Sequence, residues 1–72
     1  PETPAIVLSS EGSARALNGS PLSTGHILPP SVEAFSRADA SLFRLLDPSG
    51  RLISLARPSA GRDRLLPFLV IK

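Results

Sequence analysis

The segment DPSG at positions 47–50 constrains the fold more than any other part of the sequence. Proline presets the backbone for a tight bend and glycine accepts a positive φ, so this order of residues favours a turn. Apolar runs flank the turn on both sides. Because side chains alternate between the two faces of a strand, we expect an inward face formed by Phe43 and Leu45 before the turn and by Ile53 and Leu55 after it. The sequence therefore predicts a central β-hairpin.

A short helix is predicted after a first strand. The residues AIVL at 5–8 are apolar and β-branched, which is typical of a strand. Either serine at 9–10 can cap a helix, and the sequence up to Leu17 favours helix formation. Gly19 can take the left-handed conformation that closes it. A helix of about two turns does not persist alone, so we expect Ala14 and Leu17 to pack on a sheet.

The remaining segments predict further short strands and connections. Residues 20–31 are rich in proline and glycine and predict a loop with one short strand around 26–28. Residues 32–41 fit both helical spacing and the end of a strand, so we expect irregular structure there. After a polar interval at 57–64, the almost continuous apolar run at 65–71 predicts a final strand that is buried on both faces.

The sum of these elements predicts a mainly β (α+β) fold, a small mixed β-barrel of about five or six short strands with one short helix. The chain has 72 residues, which fits one domain, and its 42% hydrophobic content favours a folded chain over a disordered tail. With no cysteine and one histidine, neither disulfides nor a Cys/His zinc site is expected. The expected core comprises Ile6, Leu8, Leu17, Phe43, Leu45, Ile53, Leu55, Phe68 and Val70.

Catalytic, metal and cofactor sites find no support in the sequence. His26 lies in a loop without a nucleophile-elbow motif, and no glycine-rich phosphate loop occurs. The carboxylates are scattered, so we expect no catalytic residues, no metal and no cofactor. The apolar run at 65–71 is far shorter than the roughly 20 residues of a membrane span. No secretory signal is visible either, so the expected location is the cytoplasm.

The best candidate for a binding surface is a cluster of arginines. Seven of the eight basic residues are arginine, whose guanidinium group suits bidentate contacts to phosphate. Arg57, Arg62 and Arg64 lie within eight residues around the loop 58–61 and are predicted to meet successive phosphates. The alternative is a solvated connector whose charge is partly neutralised by Asp63.

A second candidate is the end of the first helix. Arg15 lies near Asn18 and Gly19, and a glycine there lets a nucleic-acid backbone approach closely. Plain capping of the helix is the alternative, and it accounts for Gly19 by itself. Lys72 is a further candidate for contacts to RNA. All three phenylalanines lie in apolar runs or beside alanine and are expected in the core, so no exposed aromatic platform for base stacking is predicted.

The order of these elements carries a family resemblance. A strand, a helix ending in ARALNG at 14–19, a Pro/Gly loop, LLDPSGRLISLAR at 45–57 and RLLPFLVIK at 64–72 resemble the C-terminal PUA-like domain of bacterial TruB-family tRNA pseudouridine synthases. The resemblance spans about 5–72, with a longer segment than expected at 29–41. The matching residues are Leu17, Gly19, Asp47, Gly50, Leu52, Leu55, Leu65, Pro67 and Val70.

The resemblance implies an accessory RNA-binding role. The chain would be a single PUA-like domain over 1–72, with 1–4 as a flexible entry, from the C-terminal part of a longer enzyme. It would dock the acceptor-stem side of tRNA through the phosphate backbone, with no membrane contact. The catalytic aspartate would lie in an N-terminal domain of the same parent chain, so this chain alone is not expected to be an enzyme. The alternative function is a small β-barrel module for protein interaction or structure, without RNA binding.

Overall fold

The computed structural model describes residues 3–37, 39–61 and 63–71, without the side chain of Pro30. Within these residues the chain forms five strands, two α-helices and one 3-10 helix. In chain order they are β1 Ala5–Val7, α1 Ser10–Leu17, β2 Leu22–Ser23, the 3-10 helix Thr24–His26, α2 Pro29–Arg37, β3 Phe43–Leu46, β4 Leu52–Pro58 and β5 Arg64–Val70.

The five strands form one mixed sheet in the order β1-β3-β4-β5-β2, which curls into a half-barrel. Strand β1 runs parallel to β3, with Ile6 opposite Leu45, and the other neighbouring strands are antiparallel. The mainly β, α+β class and the mixed sheet are confirmed. The prediction of a single helix was wrong, because the described part of the chain contains two α-helices.

The predicted hairpin forms as β3 and β4, with its turn at 47–50. The carboxylate oxygen Oδ1 of Asp47 accepts hydrogen bonds from the Ser49 hydroxyl at 2.6 Å, the Ser49 N–H at 2.9 Å and the Arg51 N–H at 3.0 Å. The Ser49 hydroxyl and then the Arg51 N–H hold the pKa of Asp47 below its ordinary value, since both stabilise the charged form. Gly50 has φ +92°, a conformation that favours glycine.

Helix α1 begins and ends where the sequence predicts, but it buries a different face. The Ser9 hydroxyl oxygen accepts a hydrogen bond from the Gly12 N–H at 3.1 Å, and Gly19 has φ +73° after the helix end. Ala14 and Leu17, expected to pack on the sheet, are exposed, and the buried residues of α1 are Gly12, Ser13 and Ala16. The small side chains let the helix lie close to its neighbours.

The second helix replaces the irregular structure expected at 32–41. Helix α2 begins at Pro29, where proline is tolerated because the first N–H groups of a helix have no intrahelical partner. Phe35 is buried and packs edge-on against Phe43, with ring centroids 5.3 Å apart. The Ser31 hydroxyl accepts a hydrogen bond from the Val7 N–H at 2.9 Å, which ties α2 to β1.

The strand expected at 26–28 is also absent from this position. His26 ends the 3-10 helix, and Ile27 forms only an isolated bridge with Leu8. The strand of this region lies earlier, at Leu22–Ser23, and pairs with the start of β5. The 3-10 turn occupies the residues between this strand and α2. No helix in the described ranges is long and apolar enough to cross a membrane.

The hydrophobic core lies between the concave face of the sheet and the helices. Helix α1 packs against β2, β3, β4 and β5, and α2 packs against β1. Five of the nine predicted core residues are buried there, together with several small or unpredicted ones. The buried apolar residues are Ile6, Leu8, Ala16, Leu22, Ile27, Phe35, Phe43, Leu45, Ile53, Ala56 and Leu65.

Strand β5 departs most from the prediction. It was expected to be buried on both faces, but Leu65 is its only buried residue. Phe68 and Leu17, two predicted core residues, are exposed, and Leu55 and Val70 are half-buried. The helices cover one face of the sheet, so the outward side chains of β5 have no covering layer within the described residues. A register shift between Leu55 and Ala56 opposite β5 also places Ala56 in the core.

Candidate nucleic-acid interface

Two of the predicted binding residues, Arg15 and Arg64, lie around one open depression of about 270 Å³. Arg15 comes from the last turn of α1, and Arg64 begins β5 beside the short strand β2. The lining residues, which together we call the basic depression, are Arg15, Pro21, Ser23, His26 and Arg64. Its volume is just below the 300–1,000 Å³ typical of sites for drug-sized ligands, so it suits a group of the size of a phosphate or part of a nucleotide.

The ring of His26 is held in the wall of the basic depression by two neighbours. Its Nδ1 accepts a hydrogen bond from the Ser23 N–H at 3.2 Å, and its Nε2 lies 3.6 Å from Oε2 of Glu11. Because Nδ1 is an acceptor, the ring proton lies on Nε2, the nitrogen on the side of Glu11. The arrangement fixes the ring orientation and places one carboxylate near the rim of the depression.

Within the described part of the chain, Arg15, Arg57 and Arg64 make no ion pair with a carboxylate. Within residues 3–37, 39–61 and 63–71, the carboxylates that lie close to a basic side chain are Glu33, 3.0 Å from Arg37, and Glu11, 3.6 Å from the His26 ring. Arg15, Arg57 and Arg64 take part in neither contact, so their charges are not neutralised by carboxylates in the described part of the chain. Two arginines that line a single depression suit the binding of an anion.

The predicted cluster at 57–64 is divided between two strands. Arg57 belongs to β4 and Arg64 to β5. The connection between them is closed by hydrogen bonds from the Ser59 N–H to the Arg64 carbonyl oxygen at 2.9 Å and from the Ser59 hydroxyl to the Asp63 carboxylate at 2.9 Å. Two further candidates, Arg62 and Lys72, lie outside the described residues.

Arg57 stacks on an aromatic ring rather than joining the basic depression. Its guanidinium carbon lies 4.6 Å from the centroid of the Phe68 ring, a distance typical of cation–π contact. Phe68 is 48% exposed. The expectation that every phenylalanine belongs to the core was therefore wrong for this one, because the outward face of β5 is not covered within the described residues.

The end of helix α1 presents Asn18 and Gly19 at a different place. Asn18 lines a second depression of about 380 Å³, whose other lining residues are Leu17, Asp47, Arg51, Ile53 and Ile71. An added Cβ on Gly19 would meet no atom within 4 Å, so the backbone there is open to approach. The Gly19 N–H also donates to the Ala16 carbonyl oxygen at 3.0 Å, as capping requires. The structure thus does not join Asn18 to the basic depression.

Three residues that line the basic depression, Pro21, Ser23 and His26, were not predicted from the sequence as binding residues. The sequence predicts Pro21 only as part of a loop. It predicts no role for Ser23, and it gives no support for a catalytic role of His26. The spacing of three residues between Ser23 and His26 is that of a capping box, in which the third residue bonds back to the backbone of the first. That spacing was the available signal, but a histidine in place of the usual Glu or Gln makes it weak.

Comparison with known proteins adds no family assignment. A scan against protein-family models matches no family, and a search of curated proteins finds no match for this chain. The class that the structure itself defines is a small mixed α+β half-barrel of five strands and two α-helices within the described residues. The described ranges also contain no group of three or more His, Cys, Asp or Glu residues that could hold a metal ion.

Proposed function

We propose that this chain is an accessory RNA-binding domain. It docks the phosphate backbone on the acceptor-stem side of tRNA for a bacterial, cytoplasmic pseudouridine synthase whose catalytic domain lies outside these 72 residues. The resemblance of the chain to PUA-like domains of the TruB family supports this proposal, and so does the small half-barrel on which the basic residues are mounted.

The observation that carries the proposal is that Arg15 and Arg64 both line the basic depression. Both residues line one depression, and neither makes an ion pair with a carboxylate within the described residues. Arginine binds phosphate through two parallel hydrogen bonds, which fixes orientation as well as charge. Arg15 and Arg64 are the arginines among the lining residues, and the carboxylate of Glu11 lies 3.6 Å from Nε2 of the lining residue His26.

Contacts of this kind position RNA without reading its sequence. Phosphate contacts are shared by every sequence, and double-helical RNA presents mainly backbone and 2′-hydroxyl groups to a protein. We therefore expect similar affinity for acceptor stems of different sequence. We also expect the 72-residue chain to form no pseudouridine in tRNA by itself, which an assay of isomerised uridine after incubation would check.

The test is the salt dependence of RNA binding. The variant Arg15→Gln with Arg64→Gln and the parent chain are titrated with a labelled, blunt acceptor-stem hairpin, and affinity is measured by fluorescence anisotropy at several salt concentrations. Each phosphate contact on a duplex contributes about 0.9 to the slope of log affinity against log salt, so loss of two contacts should flatten the slope by about 1.8.

The matched control is Arg37→Gln with Arg51→Gln, which removes the same charge elsewhere. Arg37 pairs with Glu33 on α2, and Arg51 lines the second depression. The control should keep nearly the parent slope. If both double variants flatten the slope equally, the effect is one of overall charge and the basic depression is not the docking site.

A second candidate function is protein interaction, which one observation favours. Leu66, Phe68, Leu69 and Ile71 at the end of the chain are each between 37% and 49% exposed. Clustered exposed apolar residues are typical of protein interfaces. An apolar interface should bind its partner with little dependence on salt, in contrast to the steep dependence expected for RNA.

A further inference from the structure

The outward face of strands β4 and β5 combines an exposed aromatic ring with two arginines that make no ion pair within the described residues. Arg64, Leu66 and Phe68 alternate along β5 on its exposed side, while Leu65 between them is buried. Arg57 of β4 lies directly opposite Leu66 and extends over the Phe68 ring, 4.6 Å from its centroid. We call these four residues, Arg57, Arg64, Leu66 and Phe68, the outer stripe.

The outer stripe continues from the basic depression, because Arg64 belongs to both. A strand rises by about 3.3 Å per residue, so the Cα atoms of Arg64 and Phe68 are about 13 Å apart. A ligand that follows β5 from the depression therefore meets a guanidinium group, then an aliphatic side chain, and then a ring that is stacked with a second guanidinium group.

The charges on the stripe favour nucleic acid over an apolar protein surface. An apolar partner would remove Arg57 and Arg64 from water without supplying a counter-charge, which is costly. The carboxylate next in sequence to Arg64, that of Asp63, accepts the Ser59 hydroxyl. Phosphate supplies the missing negative charge, and an unpaired base supplies a flat face that stacks on Phe68 and on guanidinium planes.

We infer that the outer stripe binds an unpaired nucleotide of RNA, with its base stacked on Phe68 and Arg57 and a neighbouring phosphate at Arg64. This inference rests on the proposed RNA-binding function and adds to it a preference for a duplex that carries a single-stranded extension. The basic depression holds the backbone, and the outer stripe holds the first unpaired bases beyond it.

The first test compares two RNA probes, a blunt hairpin and the same hairpin with a four-nucleotide single-stranded extension. Base stacking on an aromatic side chain is worth roughly 5- to 140-fold in affinity per base. The variant Phe68→Leu should lose a factor of this size on the extended probe and nothing on the blunt one. Phe68→Tyr, which keeps a ring, should restore the parent affinity, and an extension of abasic nucleotides should bind the parent as weakly as Phe68→Leu binds the normal probe.

The control is Leu69→Ala, which removes apolar surface from an adjacent residue with nearly the same exposure, 49% against 48%. It should bind both probes as the parent does. If Leu69→Ala and Phe68→Leu instead abolish self-association of the parent in sedimentation while RNA binding is unchanged, the face is a protein interface and the inference is wrong.

A second test uses the absence of other strong fluorophores. The chain has no tryptophan and no tyrosine, so Phe68→Trp introduces a single indole. Stacking with a base should quench its emission on addition of the extended probe, with little change on the blunt hairpin. Unchanged emission at saturating extended probe would contradict the inference.

The two proposals fail in different ways. If Arg15→Gln with Arg64→Gln flattens the salt slope but Phe68→Leu binds the extended probe as well as the parent, only the stacking inference is overturned. If the parent binds neither probe, the RNA-binding function itself is overturned, and the stacking inference with it.

Discussion

For the substitution Gly12→Ala, helix propensity predicts a more stable protein, whereas the structure predicts a less stable one. An alanine Cβ at this site would lie 2.5 Å from the backbone oxygen of His26 and 2.9 Å from its Cβ, well inside the about 3.5 Å of ordinary contact. That oxygen accepts hydrogen bonds from the Ser9 N–H at 2.9 Å and the Ser9 hydroxyl at 3.2 Å. It therefore cannot withdraw without stretching the bonds that hold the start of helix α1.

Two opposing contributions determine how much Gly12→Ala changes the free energy of unfolding. Replacing glycine by alanine in a helix stabilises by about 1 kcal/mol, whereas overpacking costs about 1–3 kcal/mol. The upper end applies here because the obstructing atoms include backbone, so the net loss is about 2 kcal/mol. For a domain of this size that loss lowers Tm by about 8–16 °C.

The assay is thermal unfolding followed by circular dichroism, with Ala14→Gly as the control. Ala14 is exposed on the same helix, so its change to glycine reports propensity alone and should lower stability by about 1 kcal/mol. If Gly12→Ala raised Tm, as the reverse of the Ala14→Gly effect, the close approach of α1 to the 3-10 helix would be refuted.

Three further predictions concern stability. Ile53→Ala removes a side chain that is 5% exposed and should destabilise by about 2–5 kcal/mol in a denaturant titration; an unchanged midpoint would contradict the inward face of β4. Phe35→Ala should cost about 3–5 kcal/mol by the same measurement, because its ring packs on Phe43 between α2 and the sheet, and a surface-like effect below about 0.5 kcal/mol would argue against this packing. The carboxylate of Asp47 has a lowered pKa in the folded chain, so its contribution to stability is present above the ordinary pKa and is lost as pH falls through the folded one. The Tm difference between the parent and Asp47→Asn should therefore shrink below about pH 4, and a difference independent of pH would contradict it.

The local features of the fold were predictable because their causes lie within a few residues. The cap at Ser9, the left-handed Gly19 and the turn at 47–50 depend on side chain to backbone hydrogen bonds and on φ. These are properties of short segments, and the sequence displays them directly.

The structural features that were predicted wrongly depend on contacts between residues that are distant in the sequence. The apolar run of β5 predicted burial on both faces, but burial of its outward side requires a second layer, and the composition of a strand does not show whether one is present. Residues 32–41 fit both helical spacing and the end of a strand. The hydrogen bond between Ser31 and β1 and the packing of Phe35 on Phe43 stabilise a helix in this region, and both are contacts with distant residues.

The candidate site shows the same difference between local features, which were predictable, and contacts made by the fold, which were not. The arginine cluster near residue 60 could be predicted, because the sequence shows a local excess of positive charge there. The position of Arg15 beside the same depression as Arg64 could not be predicted, because only the fold brings α1 and β5 together there. The stacking of Arg57 on Phe68 required the register of β4 against β5, and that register contains a shift which no pattern in the sequence indicates.

The order of the strands in the sheet has a consequence for how the chain folds. The second half of the chain supplies the three central strands, β3, β4 and β5, as a meander of neighbouring hairpins, whereas the first half supplies both outer strands, β1 and β2. Closing the loop between Ile6 and Leu45 has a larger entropic cost than closing the hairpin at 47–50. We therefore expect the meander to nucleate and β1 and β2 to be added afterwards. During synthesis, β1 and β2 leave the ribosome before β3 and β5, the strands with which they pair. We therefore expect the sheet to be completed only after β5 has emerged.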